Sequence, residues 1–266
     1  MTYLDAVILG VIQALTEFLP VSSSGHLVLG QALFGIQPSS GIAFEIMVHL
    51  GTLFSVVFCY RHDLLALLTS ILPERSSTAA HMEGMGWSEI GLLCLGCVPA
   101  GIVGVAFKDQ LEQIFGSPQF VAMALIGTGV VLLSTQFTND KARPITASVA
   151  LLIGLAQAVA ILPGVSRAGA TIAIAMWLGV SNARAARFSF FLSIPVIAGA
   201  SILQIRDLAA LGTTGSEWSL LMAAAGCAFV CGILALRLLL LLLDRGVFSR
   251  FGWYCLSVGA IALYVL

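Results

Sequence analysis

Long apolar runs separated by short charged breaks dominate this chain. The clearest cover 42–60, 87–107, 119–135, 185–205, 218–243 and 251–266. A helix that crosses a bilayer needs roughly 20 mostly apolar residues, so the pattern predicts six transmembrane helices. The stretch 64–72 is also apolar but too short to cross alone. Two further apolar regions, 3–35 and 145–180, are each interrupted near the middle by proline, glycine and serine. The interruptions are "LPVSSSGH" at 19–26 and "LPGVSRAG" at 162–169. Inside a bilayer such a break is tolerated only where the freed backbone groups find protein or water partners, so each region is expected to fold as a re-entrant helix hairpin.

The two broken regions also match one another. At one constant offset Gly10, Gln13, Ala14, Val21, Ser22 and Gly25 align with Gly154, Gln157, Ala158, Val165, Ser166 and Gly169. Further on, Gly35 aligns with Gly179 and Phe44 with Phe188. The chain therefore reads as one integral membrane domain, 1–266, built from repeat halves of about 1–135 and 145–266. Three full spans separate the hairpins, and an odd number inserts the second half upside down. The expected fold is an all-α polytopic membrane protein, an inverted-topology repeat of six transmembrane helices and two re-entrant hairpins. Interrupted segments at corresponding positions of such halves point to a binding site near the bilayer midplane.

Charge gives the orientation. The side carrying both termini holds Lys108 and Arg206; the other holds Arg61, Arg75, Lys141, Arg143, Arg184, Arg187, Arg245 and Arg250, with Arg237 near its boundary. Cytoplasmic loops are the richer in Lys and Arg, so both termini and the mouth of the first hairpin are expected outside.

Composition reinforces the membrane reading, with 59% hydrophobic and 9% charged residues and a mean hydropathy of +1.04, where soluble domains carry about 25% charged residues. A net charge of -1 gives no basic patch to attract nucleic acid. The N-terminal run has no basic flank or small-residue cleavage site and contains Glu17, so it is expected to be mature structure rather than a signal peptide. All six cysteines fall in apolar runs, where a thiol packs as a small hydrophobe; Cys94 and Cys97 form a C-x-x-C without the βαβ surroundings of a redox motif.

The chemistry concentrates in the two interruptions. Glu17 and Gln13 lie one helical turn apart and share a face. A carboxylate at membrane depth costs about 2.5–3.5 kcal/mol on insertion scales and rarely faces lipid, so metal or proton binding is its nearest use. Ser22, Ser23, Ser24 and Gly25 occupy the start of the second half-helix. Unpaired N–H groups and the positive dipole end there suit a phosphate, although a serine-rich turn is also an ordinary N-cap. His26, one turn on, can serve as acid, base, ligand or nucleophile. In the second interruption Arg167 sits beside Ser166; its fork matches phosphate oxygens, and the plain structural alternative is an ion pair with Glu17. Glu45 and His49 share a face of the 42–60 span, and for His49 a polar contact between helices is the simpler reading.

These residues carry a resemblance. "QALTEFLPVSSSGH" with "PGVSRAGAT" resembles the two signature stretches of the undecaprenyl-pyrophosphate phosphatase family, also called bacitracin-resistance proteins. The first is similar to that family's (E/Q)-x-x-x-E followed by P-V-S-S-(S/T)-G-H, and the second to its P-G-x-S-R-S-G-A-T. The likeness continues through "FEIMVHLGTL" and "GVSNARAARFSFFLSIPVIAGA" and so spans nearly the whole chain. Gln13 stands where a second glutamate is often found, and Ala168 replaces the usual serine after the arginine.

The resemblance implies a hydrolase that removes the terminal phosphate of a C55 isoprenoid diphosphate at the outer face of the bacterial inner membrane. The monophosphate carrier is thereby recycled for cell-wall synthesis, with a divalent cation as cofactor. It implies as catalytic residues Glu17, Ser23, His26 and Arg167, with Gln13, Ser22, Ser24, Gly25, Ser166 and Glu45 at the substrate. Mg²⁺ or Ca²⁺ is expected on Glu17 and Gln13, since hard cations prefer oxygen. Bacitracin is expected to compete by sequestering the lipid diphosphate, and a homodimer is possible. Ser23 is expected to attack with His26 as its acid–base partner, because a hydroxyl needs an adjacent base; attack by His26 or water stays open. A transporter of phosphorylated lipid would share the broken helices and the arginine without needing Glu17, Ser23 and His26 together. An intramembrane serine protease would leave Arg167 without a role.

Overall fold

The computed structural model describes residues 2–34, 41–70, 87–107, 110–111, 114, 117–210 and 215–265. Helices are its regular elements: α1 (Tyr3–Phe18), α2 (Ser23–Phe34), α3 (Gly41–Cys59), α4 (Arg61–Thr69), α5 (Trp87–Ala106), α6 (Pro118–Ser134), α7 (Ala147–Val159), α8 (Arg167–Trp177), α9 (Asn182–Ala210), α10 (Gly215–Asp244) and α11 (Phe251–Val265). No strand occurs among the described residues. Gly35, Arg75, Lys108, residues 71–86 of the 61–86 loop and the side chain of Arg206 lie outside the described residues.

Local sequence explains where several helices begin. Thr2 and Asp5 form a reciprocal capping box on α1. Ser117 caps α6 with Pro118 in its first turn, Thr146 caps α7 and Ser166 caps α8. Each cap satisfies an otherwise orphaned N–H and contributes about 1 kcal/mol. Leu19 leaves α1 in an extended conformation ahead of Pro20, which cannot continue a helix.

Among the described residues five segments are long and apolar enough to cross a membrane: Ser88–Ala106, Pro118–Phe137, Asn182–Leu203, Glu217–Asp244 and Phe248–Val265. The sixth expected span, 42–60, is α3, which bends by 70° at Tyr60 into α4; the two pass the same test only as a pair. The short apolar stretch is thus a continuation of α3 along a new direction. The chain is a multi-pass, all-helical protein, and the apolar side chains on its outer surface, such as Phe54, Ile102, Met123 and Leu234, suit a lipid solvent.

Between lipid-bathed helices apolar burial gives little drive, so close backbone approach at small residues does more. Gly10 of α1 faces the Ala224 carbonyl of α10, and a Cβ there would sit 2.7 Å from that oxygen. Gly154 of α7 is still tighter against the Gly96 carbonyl of α5. Gly129 on α6 and Gly252 and Gly259 on α11 close a third pair. The largest apolar core lies between the two broken segments, where Phe18 meets Phe190 edge to face at 5.8 Å and Ile153, Ile172 and Leu236 are fully buried. At one rim Arg187 joins Asp63 of α4 and Glu89 of α5 and lies over Phe191. All six cysteines are free thiols.

Candidate active site

The first interruption places a carboxylate beneath a serine. Gln13 and Glu17 occupy the last turn and a half of α1, and Gln13 Nε2 donates to Glu17 Oε2 at 3.1 Å. The chain turns through Leu19 to Val21, and Ser22 takes φ +70°, a left-handed conformation unusual for a residue with a side chain. Held strain of this kind clusters at functional sites. It leads directly into α2, where Ser23 Oγ donates to Glu17 Oε2 at 2.6 Å.

The second interruption supplies the cation. Ser166 caps α8, and its neighbour Arg167 reaches back to Glu17, with Nη2 to Oε1 at 2.6 Å. Glu17 is 8% exposed and accepts from Gln13, Ser23 and Arg167 together. The tips meet at their glycines: a Cβ on Gly25 would lie 3.2 Å from Gly164 Cα, and Gly164 itself has φ +90°. Thr128 of α6 locks the second tip, donating to the Gly164 carbonyl at 3.0 Å and accepting from Ser166 N at 3.2 Å.

Of the expected site residues, Gln13, Ser23 and Arg167 all bond Glu17, and three features concern the others. First, Ser23 does not pair with His26 in this structure. The base it touches is Glu17, whereas His26 Nδ1 lies 2.8 Å from the Ser22 carbonyl and Nε2 lies 2.8 Å from the Tyr254 hydroxyl. A carbonyl only accepts, so Nδ1 carries the proton; in the neutral ring Nε2 then accepts from Tyr254, whose ring stacks at 5.6 Å. Second, the hydroxyls of Ser22 and Ser166 are engaged as caps, accepting from Gly25 N at 3.3 Å and Gly169 N at 3.1 Å. Ser24 lies 3.4 Å from the Ser22 hydroxyl. Third, no hydrogen bond or ion pair joins the Glu45 side chain to Glu17, Ser23 or Arg167 among the described residues, but its carbonyl accepts from His49 Nδ1, and His49 Nε2 lies 3.8 Å from Glu17 Oε2. The polar contact expected of His49 is therefore to the site carboxylate. Tyr254 and Thr128 were not singled out in the sequence, since both sit in ordinary apolar runs.

Atoms remain to receive a ligand. Arg167 Nη1 and Gln13 Oε1 are buried without a protein partner, and Gln157, which aligns with Gln13, is likewise unbonded at both amide atoms. Among the described residues no three His, Cys, Asp or Glu gather into a metal cage. What the site offers a hard cation is Glu17 and the free Gln13 Oε1, a partial oxygen set of the kind completed by substrate phosphates and water. A half-buried serine on a buried carboxylate, opposite a guanidinium with one nitrogen free, is equipped to bind an anion and transfer a group from it.

Comparison with known proteins bears on the same residues. A family model described as "Bacitracin resistance protein BacA" matches residues 6–261. A protein of Geobacter metallireducens named undecaprenyl-diphosphatase is 42% identical over 98% of this chain and 97% of its own length. One of Salinibacter ruber with the same name is 37% identical over the full length of both. Undecaprenyl-diphosphatase 1 of Shouchella clausii is 36% identical over 97% of this chain and 95% of its own. The tips that assemble around Glu17 thus lie within a full-length match, and the chain belongs to the bacitracin resistance protein BacA family.

Proposed function

We propose that this protein is an undecaprenyl-diphosphatase that hydrolyses a C55 isoprenoid diphosphate to the monophosphate and phosphate, recycling the lipid carrier of cell-wall synthesis. The observation that carries the reading is the convergence of Ser23 and Arg167 on Glu17 from two different broken segments. In the mechanism this geometry supports, Arg167 Nη1 and the first N–H groups of α2 bind the terminal phosphate. Glu17 accepts the Ser23 proton as Oγ attacks the terminal phosphorus. The new Oγ–P bond forms as the bond from phosphorus to the bridging oxygen breaks, and the lipid monophosphate leaves with that electron pair. Water then attacks the phosphoserine phosphorus, the Oγ–P bond breaks, the proton held by Glu17 returns to Ser23 Oγ, and phosphate leaves. Arg167 stabilises the charge on the equatorial oxygens during transfer. His26 shapes the turn through the Ser22 carbonyl, and the two capping serines hold the tips rather than the substrate.

Mg²⁺ or Ca²⁺ would be held beside this set by Glu17 Oε1, which accepts one bond from Arg167 and keeps a further lone pair, and by Gln13 Oε1. It would neutralise part of the diphosphate charge.

The broken segments act as re-entrant hairpins in an inverted repeat within one membrane domain. Packing supports this: α1 pairs with α10 and its counterpart α7 with α5, α3 meets its counterpart α9, and α6 meets its counterpart α11. Such reciprocal pairing is what a two-fold relation between halves produces. The Lys/Arg asymmetry supports an inner-membrane location with the first hairpin opening outward. Bacitracin would oppose the enzyme by sequestering its substrate, and a homodimer is compatible with the exposed apolar surface.

Phosphate release from a long-chain isoprenoid diphosphate by the purified protein tests the reading. Release that vanishes in Ser23→Ala is expected. Movement of the intact lipid between leaflets without phosphate release would replace the hydrolase by the transporter.

A further inference from the structure

A cavity of about 880 Å³ runs along one side of the molecule, outside the polar centre around Glu17. One wall is a single face of α11, with Phe251, Tyr254, Val258, Ile261 and Val265 following helical spacing. The facing wall comes from the first hairpin, chiefly Ile12, Leu15 and Thr16 of α1 and Leu29 of α2. These two helical faces are joined across the space by the His26–Tyr254 bond. Residues 251–265 extend about 22 Å at 1.5 Å per residue, more than the roughly 15 Å depth of one leaflet's hydrocarbon.

The end of this groove beside the α10–α11 connection is cationic. Arg245 and Arg250 line it, both are exposed, and neither guanidinium has an ion pair or hydrogen bond among the described residues. The neighbouring Asp244 does not line the cavity. The connection that carries the arginines is built. Val247 N bonds the Leu242 carbonyl at 3.1 Å and Gly246 N the Leu243 carbonyl at 2.9 Å, a helix-ending motif that needs the left-handed Gly246 at φ +68°. Phe248, 2% exposed, then anchors a single 3₁₀ turn leading into α11.

We propose that this groove is a binding site for an anionic phospholipid of the bilayer, its phosphate head on Arg245 and Arg250 and an acyl chain along the α11 face. An all-apolar occupant would leave two unpaired cations at its tip. A zwitterionic head brings its own cation to a place that already has two, so net negative charge is what the end selects. The inference stands apart from hydrolysis and does not depend on it.

The test uses the full chain, purified and delipidated in detergent, with dioleoyl phosphatidylglycerol and dioleoyl phosphatidylcholine as probes. Lipid retention is read by native mass spectrometry and apparent affinity by thermal shift. Phosphatidylglycerol should be retained in preference to phosphatidylcholine. Arg245→Ala with Arg250→Ala should weaken it roughly 30-fold, from about one basic contact each, and the double Lys variant should keep most of the affinity. Ile261→Trp, which fills the groove without touching charge, should also expel the lipid. Inorganic phosphate at millimolar concentration should not compete, because the chain supplies the apolar contact. Equal retention of the two lipids, or an unchanged affinity in the double Ala variant, overturns the proposal. Displacement of phosphatidylglycerol by a long-chain isoprenoid diphosphate at equimolar concentration also overturns it, since the groove would then be the substrate's tail site.

Discussion

The two interrupted segments are built alike and armed differently. Both turn on a serine cap whose hydroxyl accepts from a glycine N–H three residues on, Ser22 with Gly25 and Ser166 with Gly169. Both follow a helix ended by proline-containing sequence and precede a short helix whose N-terminus points into the protein. On that common frame the first carries Glu17, Ser23 and His26, whereas the second carries Arg167 alone. The matched serines and glycines hold the backbone, Gln13 is the matched residue that also touches Glu17, and the unmatched residues carry the chemistry in the proposed mechanism. In the proposed mechanism such a shared frame brings a nucleophile and its base from one side and a cationic clamp from the other, so that neither tip is a site by itself.

Substitutions at Ser23 and Arg167 should therefore change turnover chiefly, those at Glu17 both turnover and stability, and those at the matched capping serines stability. The largest effect is expected for Ser23→Ala, which removes the attacking oxygen and should leave phosphate release at background with the fold retained. Arg167→Ala should lower kcat by about 10³–10⁵, the range for arginines that stabilise phosphoryl transfer. Glu17→Leu should destabilise the protein by roughly 3–5 kcal/mol, because Arg167 would be left buried without its partner; denaturation in a fixed detergent reads it. Glu17→Gln keeps the shape and should weaken activation by Mg²⁺ or Ca²⁺ along with turnover, since an amide is a poorer ligand for a hard cation. The smallest effects belong to the frame. Ser166→Ala should cost about 1 kcal/mol of stability, and Tyr254→Phe, which keeps the stack on His26 and loses one hydrogen bond, about the same. A Ser166→Ala variant of normal stability but abolished turnover would break the division between frame and chemistry.

Much of this was legible in one sequence. Apolar run length located the spans, because membrane depth imposes a length. The repeated Gly, Gln and Ser positions marked the breaks, because backbone conformations there admit few residue types. The Glu17–Arg167 contact was visible as one of two alternatives, since buried charges in an apolar chain need partners. Proximity in sequence pairs Ser23 with His26, three residues away, whereas the hydroxyl of Ser23 meets Glu17 of the preceding helix. His49, Thr128 and Tyr254 reach the tips from α3, α6 and α11, and no local pattern ties a residue to a turn more than 30 positions away. The bend at Tyr60 went unread for a related reason: neither proline nor glycine marks it.

The central claim is that Arg167 acts on the phosphate being transferred as well as bonding Glu17. Arg167→Lys keeps the charge and loses the fork, so its kcat, measured with a long-chain isoprenoid diphosphate beside its thermal stability, is the most direct test. The account predicts a clear loss of kcat at near-normal stability. A variant that unfolds easily, yet whose folded fraction turns over at the normal rate, would make Arg167 a structural tie and contradict the account.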